Sequence, residues 1–477
     1  MLLKKLQQNK TTLYIFLIAL IILILPLLTR LLHYDNSLIG DQAYYYERMA
    51  NSINSNHLFT FDHLAYGGSE YIPHTYHSFL AFCSNFIPLQ LFMQIFPGLL
   101  GMFSLFLFYK ILRKFKLRKA YTNLSCFIFS ISPIFIYLFS YPNDQYIPVS
   151  LILLSIYFIR QPTKKWIFAI LPIIAISLFN IIHSLVLLII LIILRLYKQL
   201  SKKKTTITLT ILITFTLAYH IPFFLRYGFP HGSNFVELNI FNSFIGDFGA
   251  LISFSIPFLL ISILGTLMLT SKREILPAVS FIVLTTILSY SIIPLRFYLN
   301  ILLVLLVSFA IQQLLRRKWQ LKSIKKMAML AILCSLAFST LVYINHISTS
   351  SPSNELIDSM SWLNSQNSGV VLSHQDNGFW IENLANKSTV INPSTEYISS
   401  IDATYEDVQN IFYSYHVEET LILLNNYNIK YILITPEMKQ GKVWEKENQG
   451  FLLILKESPK FKKIYSLNNI EIWTYFG

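Results

Sequence analysis

The chain has 477 residues, of which 54% are hydrophobic and only 13% are charged. A soluble protein carries about 25% charged residues, so this composition excludes an ordinary soluble protein and favours membrane-spanning helices. The net charge of +14 does not indicate nucleic-acid binding, because the basic residues lie in short tracts between apolar runs, where they report membrane topology.

The first apolar run, residues 13–28, follows a basic N-terminus. It predicts a retained helix rather than a signal peptide, because it is long and lacks an A-x-A-like exit. Later apolar runs alternate with basic tracts, such as residues 110–119, 195–204 and 316–326. If these tracts are cytoplasmic, the positive-inside rule predicts about eleven transmembrane helices, a cytoplasmic N-terminus and an external C-terminus.

Acidic residues of this region cluster on the predicted external side. Of the nine acidic residues up to residue 345, only Glu274 falls on the predicted cytoplasmic side. The distribution has an ordinary explanation, since loops of membrane proteins are polar. It also fits an external polar site that is built from several loops.

The composition changes near Ser350, where apolar runs shorten and acidic residues become frequent. This change predicts two domains, a transmembrane domain over residues 1–345 and a small external α/β domain over residues 346–477. Strands alternating with helices are typical of an α/β domain. The predicted helices cover residues 356–364 and, as one or two helices, 405–426; the predicted strands cover residues 370–373, 431–435, 451–455 and 470–475.

Four polar motifs stand out when this topology is assumed. They contain Asp41 in residues 40–49, Asp144 in the short loop 141–146, Glu237 in residues 233–238, and His374 and Asp376 in residues 373–381. Arg296 adds a cation where a predicted span meets the external surface. Each has an ordinary alternative, since an Asp can cap a helix or shape a turn and an Arg can extend to the headgroups.

Carboxylates from separate loops are suited to holding Mg²⁺ or Mn²⁺ against a phosphate. A departing phosphate or pyrophosphate needs such a Lewis acid, and an arginine near the headgroups can bind it through two hydrogen bonds. The histidines of the first loop could instead indicate zinc. Only His74 and His77 have the tight spacing of zinc ligands, so zinc is not favoured.

In their order, these motifs resemble those of the GT-C class of membrane glycosyltransferases, and most closely the catalytic subunit of archaeal single-subunit oligosaccharyltransferase. Residues 41–48 resemble the first-loop motif of that family, an Asp followed by aromatic residues and an Arg. Asn143-Asp144 resembles the second acidic motif, and residues 235–237 resemble the third, which ends in a Glu. Arg296-Phe297 resembles an Arg-Phe pair associated with the phosphate of the donor.

Residues 371–381 resemble the family segment whose Trp-Trp-Asp-Tyr-Gly core reads the acceptor sequon. Only Asp376 and Gly378 of that core are present, and His374-Gln375 replaces the tryptophan pair. The sequence therefore predicts weak or no selectivity for Asn-X-Ser/Thr.

The resemblance implies transfer of a sugar or glycan from a polyprenyl phosphate or pyrophosphate to an acceptor on the external face. Asp41, Asp144 and Glu237 would hold Mg²⁺ or Mn²⁺, or one of them would act as a base. Arg296 would bind the donor phosphate. His374 and Asp376 would contact the acceptor, which could be a protein, a glycan or a lipid.

Two alternatives stay open. A metal-independent relative would use a polyprenyl-phosphate monosaccharide, with Asp41 as general base. A non-catalytic transporter or scaffold is less favoured, because transporters often show internal repeats and charged residues within the spans. Here no clear repeat is present and the acidic residues lie in loops.

Overall fold

The protein is described by a computed structural model that covers residues 2–33, 38–55, 59–162, 164–229, 244–270, 276–350, 352–394, 397–398, 400–446 and 448–476. It divides into two compact units. The first, here called the helical unit, comprises residues 1–33, 91–222 and 237–350; the second, here called the mixed unit, comprises residues 34–90, 223–236 and 351–477. The sequence does not predict that the first loop joins the C-terminal segment.

Five helices of the described chain are long and apolar enough to cross a membrane, and a bent helix pair could form a sixth span. The long helices are Leu2–His33, Leu89–Lys114, Lys202–Tyr227, Ile293–Arg316 and Lys322–Thr349, and the bent pair is Lys119–Ser130 with Pro133–Ser140. The apolar helices identify an integral membrane protein.

Among the described residues, the remaining α-helices of the helical unit are shorter. They are Tyr146–Ile159, Ile170–Ser177, Ile181–Leu196, Ile256–Thr270 and Leu276–Ser291. A helix of 16 residues, such as Ile181–Leu196, extends over about 24 Å, whereas the hydrocarbon core is about 30 Å thick. The count of eleven spans therefore stays a prediction.

Pro133 explains the bent pair, because it begins the second helix and has no backbone N–H to continue the first. The two helix axes differ by 63°. The hydroxyl of Thr340 donates to the Ile131 carbonyl at 2.9 Å, and the Asn300 amide donates to the Ser132 hydroxyl at 2.9 Å. Neighbouring helices thus provide partners for polar groups at the break, as an apolar environment requires.

A five-stranded sheet lies in the C-terminal segment of the mixed unit. A small hairpin, β1 (Phe61–Asp62) and β2 (Ser69–Glu70), precedes the strands β3 (Val370–Leu372), β4 (Ser388–Thr389), β5 (Ile429–Ile434), β6 (Phe461–Leu467) and β7 (Ile470–Tyr475). The sheet order is β4-β3-β5-β7-β6; β3 is parallel to β4 and β5, and β7 is antiparallel to β5 and β6. Asn468 and Asn469, both with positive φ, form the β6–β7 turn, as the twist of a hairpin favours.

In the described part of the mixed unit, the α-helices are Gln42–Ser55, Thr75–Ser84, Asn354–Asn364, Gly378–Leu384, Ile401–Tyr413, Val417–Asn426 and Phe451–Glu457. The apolar faces of Ile401–Tyr413, Val417–Asn426 and Phe451–Glu457 form a core with the sheet, in which Ile432, Leu424 and Trp444 are fully buried. The indole N–H of Trp444 donates to the Phe412 carbonyl at 2.8 Å, so this large side chain is buried without an unpaired donor.

The strand predicted over residues 451–455 is wrong, because these residues begin the helix Phe451–Glu457. A short apolar run is compatible with either a buried strand or a buried helix, and periodicity alone does not separate them. Phe451, Leu452 and Leu455 face the core, which matches helical spacing. The strand β6 was not predicted, since two exposed lysines interrupt its apolar pattern.

Candidate active site

Asp41 lies in the mixed unit, immediately before the helix Gln42–Ser55, which is called the first-loop helix from here on. Gly40 adopts a φ of 82°, a conformation that glycine reaches without strain, and it turns the chain into this helix. One carboxylate oxygen of Asp41 accepts from the backbone N–H of Gln42 at 2.7 Å. The half-buried carboxylate therefore lies at the positive end of the helix, which stabilises an anion.

Asp144 lies in the helical unit, in the turn before the helix Tyr146–Ile159. Its carboxylate is half-buried and accepts from the side-chain amide of Gln145 at 2.7 Å. The neighbouring Asn143 is buried and donates to the carbonyls of Leu138 and Tyr141, which fixes the turn. Glu237, the third predicted carboxylate, lies outside the described residues.

Arg296 lies in the first turn of the helix Ile293–Arg316 in the helical unit and is 5% exposed. Its guanidinium donates to the carbonyls of Ser289, Ile252 and Tyr290 at 2.9, 2.8 and 3.2 Å. Two of these carbonyls belong to the end of the preceding helix, where carbonyls lack partners within the helix. Phosphate binding by Arg296 stays a prediction.

His374 and Asp376 follow β3 in the mixed unit, in a segment here called the acceptor segment, residues 373–378. The Nδ1 atom of His374 accepts from the backbone N–H of Asp376 at 3.3 Å. Burial lowers the pKa of the His374 imidazole, so this ring is neutral near pH 7. The Asp376 carboxylate forms an ion pair with Lys442. The sequence analysis missed Lys442, which lies far from Asp376 along the chain and carries no motif signal.

Polar contacts hold the acceptor segment against β5. The Ser373 hydroxyl donates to the Leu433 carbonyl at 2.9 Å and accepts from the Asn377 amide at 2.8 Å. The thioether of Met438 lies 3.7 Å from the Ser373 hydroxyl and 3.8 Å from the Asn377 amide. Asn377, which stands where the resembling family has Tyr, is therefore part of the interior.

The mixed unit also contains a buried ion cluster around Arg48, on the first-loop helix. The guanidinium donates to both oxygens of Asp62 at 2.7 and 2.8 Å and to Glu382 at 2.7 Å. Glu382 also accepts from the hydroxyl of Thr389 at 2.6 Å and from the amide of Asn392 at 2.8 Å. In the sequence, Arg48 stands out only as part of the motif over residues 41–48. No local signal marks Glu382, since Arg48 and Glu382 are 334 positions apart.

Burial controls the electrostatics of this cluster. Desolvation raises the pKa of Glu382 to about 6, although the charge of Arg48 opposes the shift and that of Asp62 adds to it. The physical reason is that one guanidinium faces two carboxylates, so the ionised cluster has a net negative charge in a poorly solvated site. Desolvation also raises the pKa of the neighbouring Tyr45 to about 12, so its hydroxyl keeps its proton.

Among the described residues, no group of three His, Cys, Asp or Glu side chains is close enough to hold a metal ion. The histidines of the first loop illustrate this. His77 is buried among aromatic rings, its Nδ1 lies 2.9 Å from the Tyr71 hydroxyl, and desolvation lowers its pKa well below the usual value. The carboxylates of Asp41 and Asp144 have the donor chemistry that a hard divalent cation prefers, and their predicted partner is Glu237.

No protein-family model matches the sequence, and no curated protein matches it. Solved structures do match. The apo crystal structure of the Archaeoglobus fulgidus oligosaccharyltransferase has a TM-score of 0.64 and 14% identity, and the match covers 93% of this chain and 72% of that one. The structure of the same enzyme with Zn and sulfate has a TM-score of 0.60 and 14% identity, covering 97% and 73%.

A third match is the archaeal oligosaccharyltransferase AglB from Archaeoglobus fulgidus with an inhibitory peptide and a dolichol-phosphate. It has a TM-score of 0.60 and 14% identity, and it covers 90% of this chain and 70% of that one. At this identity the likeness shows the fold. The resemblance to oligosaccharyltransferase that the sequence predicts is therefore confirmed at the level of the fold.

Proposed function

We propose that this chain is a GT-C glycosyltransferase that transfers a sugar or glycan from a polyprenyl phosphate or pyrophosphate to an acceptor. The observation that carries the proposal is the fold likeness to an oligosaccharyltransferase over nine-tenths or more of the chain. Structures of that fold were solved with a dolichol-phosphate and with a peptide containing an NVT sequon. These ligands support a lipid-linked donor and a peptide-like acceptor here.

Asp41, Asp144 and Glu237 are the proposed ligands of Mg²⁺ or Mn²⁺. Such a cation supplies Lewis-acid stabilisation for a phosphate leaving group. The structure of a similar fold with Zn supports a divalent cation in general terms. Asp41 is suited to its role because the N–H of Gln42 fixes one carboxylate oxygen at the start of a helix, which reduces the motion that metal binding must restrict.

The acceptor is proposed to bind at the acceptor segment, where Asp376 accepts a hydrogen bond from it and the neutral His374 contributes to the wall. Lys442 pairs with Asp376 and places a cation beside this carboxylate, whose oxygens can accept hydrogen bonds. The cation also makes the acceptor site more polar than a wall of two tryptophans. This polarity supports weak selectivity for Asn-X-Ser/Thr and admits protein, glycan or lipid hydroxyls.

The proposed orientation follows from the basic tracts. The N-terminus is cytoplasmic, and residues 346–477 lie on the external side together with the loops that carry Asp41, Asp144 and Glu237. The donor phosphate then lies at the external headgroup level, near Arg296 in the first turn of its helix. A lipid-linked donor presents its phosphate at that depth.

The decisive experiment measures transfer from a synthetic polyprenyl-pyrophosphate disaccharide to a fluorescent peptide containing Asn, Ser and Thr. EDTA should abolish transfer, and Mn²⁺ or Mg²⁺ should restore it. Asp41→Asn and Asp144→Asn should each slow transfer by roughly 10²-fold or more, the loss expected when several kcal/mol of charge stabilisation is removed.

Asp247→Asn is the matched control, because Asp247 is an exposed acidic residue whose carboxylate accepts from the backbone N–H of Ile256. It should transfer at the parental rate. Full activity in EDTA, with Asp41→Asn alone inactive, would favour the metal-independent enzyme. Full activity of both Asp41→Asn and Asp144→Asn would contradict the proposed site and favour the non-catalytic alternative.

A further inference from the structure

The proposed reaction leaves one buried group of charged side chains without a role. Arg48 faces Asp62 and Glu382, and all three side chains are at most 8% exposed. One guanidinium neutralises only one of the two carboxylates. A buried ion group of this kind is often less stable than well-packed apolar residues of the same volume. Stability of the fold therefore does not by itself account for the cluster.

The position of the cluster indicates what it connects. Arg48 lies on the first-loop helix, which directly follows Asp41. Glu382 lies on the helix Gly378–Leu384, which begins two residues after Asp376. The bond between Arg48 and Glu382 thus joins the helix that follows the proposed metal ligand Asp41 to the helix that follows the proposed acceptor contact, and both helices belong to the mixed unit.

Two further contacts join the same pair of helices. The Asn383 amide donates to the Glu47 carboxylate at 3.0 Å, and the other oxygen of Glu47 accepts from the Gln90 amide at 2.7 Å. The rings of Tyr45 and Phe379 stack with their centroids 4.6 Å apart. Contacts at three neighbouring positions on each helix fix both the rotation and the translation of one helix against the other.

We propose that Arg48 and Glu382, supported by Glu47 and Asn383, are positioning residues that set the acceptor segment in register with Asp41. The role rests on the proposed function, because it assigns Asp41 to the donor side and Asp376 to the acceptor side of one reaction. A buried bidentate arginine is suited to it, since its planar fork holds two carboxylates in one geometry. These side chains act on the reaction through Asp41 and Asp376.

The contacts of Arg48 with Glu382 and of Glu47 with Asn383 are called the link from here on. Protonation of Glu382 provides a readout of this link. The charged and titratable groups that face Glu382 are Arg48, Asp62, Tyr45 and Tyr66. Because the pKa of Glu382 is about 6, its charge is lost as pH falls through that value, and its bond with Arg48 loses one of its two charges. The acceptor KM should therefore rise below about pH 6.

The test compares Glu382→Gln with the parent and with Glu471→Gln, a control whose carboxylate pairs with Lys439 and Lys463 in the same unit. Transfer of a polyprenyl-pyrophosphate disaccharide to the fluorescent peptide, and release of the same disaccharide to water, are measured separately. Glu382→Gln should lower the ratio of transfer to release by about 10-fold or more, because small misplacements of reacting groups slow reaction strongly.

The pH profile and a conservative variant complete the test. The rise of acceptor KM below pH 6 should be absent in Glu382→Gln; any contribution from His374 stays in both proteins and cancels in the comparison. Arg48→Lys, which keeps the charge and loses the fork, should give an intermediate ratio. Amide hydrogen exchange in the helix Ile401–Tyr413, outside the link, checks that each variant is folded.

The outcomes separate the link from the function. No turnover by the parent contradicts the proposed function and the positioning role with it. Parental turnover with Glu382→Gln behaving like Glu471→Gln contradicts the link alone. Equal loss of transfer and release in Glu382→Gln, or faster exchange throughout the mixed unit, shows a merely structural cluster and also overturns the proposal.

Discussion

Removal of the Arg48 guanidinium tests how strongly the buried cluster depends on its cation. Arg48→Met fills a similar volume but leaves Asp62 and Glu382 without their three charge-assisted hydrogen bonds of 2.7 to 2.8 Å. Breaking a buried ion pair by removing one partner destabilises a protein by about 3–5 kcal/mol. For a unit of this size the apparent Tm should fall by roughly 10 °C.

The loss should depend on pH. Burial already raises the pKa of Glu382 to about 6, and removal of the Arg48 charge raises it further. A folded-state pKa above the unfolded value means that the neutral carboxyl stabilises the fold, and this contribution is lost as pH rises through the folded pKa. Arg48→Met should therefore be closer to the parent at pH 5 than at pH 8.

Tryptophan fluorescence during heating of the detergent-solubilised protein measures the effect, since four of the six tryptophans lie in the mixed unit. Arg226→Met is the control, because Arg226 and its partner Glu70 are 66% and 60% exposed and 3.5 Å apart. An exposed pair contributes about 0–1 kcal/mol, so the control should unfold within a few degrees of the parent. Similar, pH-independent losses in the two variants would refute the reasoning.

Three further predictions concern topology, acceptor choice and protonation. In a chain whose native cysteines are replaced, an impermeant maleimide should label a cysteine at position 400 in intact cells and one at position 322 only after permeabilisation; labelling of both from one side would contradict the shared external face. A peptide with Asn-X-Thr should accept sugar no better than the same peptide with Ala in place of Thr. A strong preference for the sequon would contradict the polar site around Asp376. Between pH 4 and pH 8, the free energy of unfolding of Glu382→Gln should rise by about 2 kcal/mol relative to that of the parent, which corresponds to a shift of the Glu382 pKa from 4.5 to about 6. A difference in stability that does not depend on pH would contradict the raised pKa of Glu382.

Much of the architecture could be predicted from local patterns. Apolar runs and basic tracts indicate membrane helices, and β-branched runs predict the strands β3, β5 and β7, because both signals depend on neighbouring residues. The strand predicted at residues 451–455 is wrong, since a short apolar segment is compatible with both the helical and the strand period. The count of spans is not settled by pattern, because several apolar helices are shorter than the hydrocarbon core.

The candidate site was predictable only where its chemistry is carried by short motifs. Asp41 and Asp144 stand out because each lies in a polar loop beside an apolar run. Lys442 and Glu382 were not found, since their partners Asp376 and Arg48 lie far along the chain and no local pattern marks such pairs. These long-range contacts depend on tertiary packing, and local sequence patterns do not show which distant residues pack together.

Stability and positioning by the buried cluster can be separated by removing all of its charges together. Arg48→Met, Asp62→Leu and Glu382→Leu in one chain replace the buried ions with apolar groups, which is often neutral or stabilising by about 1–4 kcal/mol. The same replacement removes the directional bonds that select one register of the two helices. We therefore expect the triple variant to unfold at a higher Tm than Arg48→Met, because it leaves no buried charge unpaired, but to show at least about 10-fold less transfer relative to release. A triple variant that is as active as the parent would show that apolar packing alone sets the register, and it would remove the reason for a buried arginine at this position.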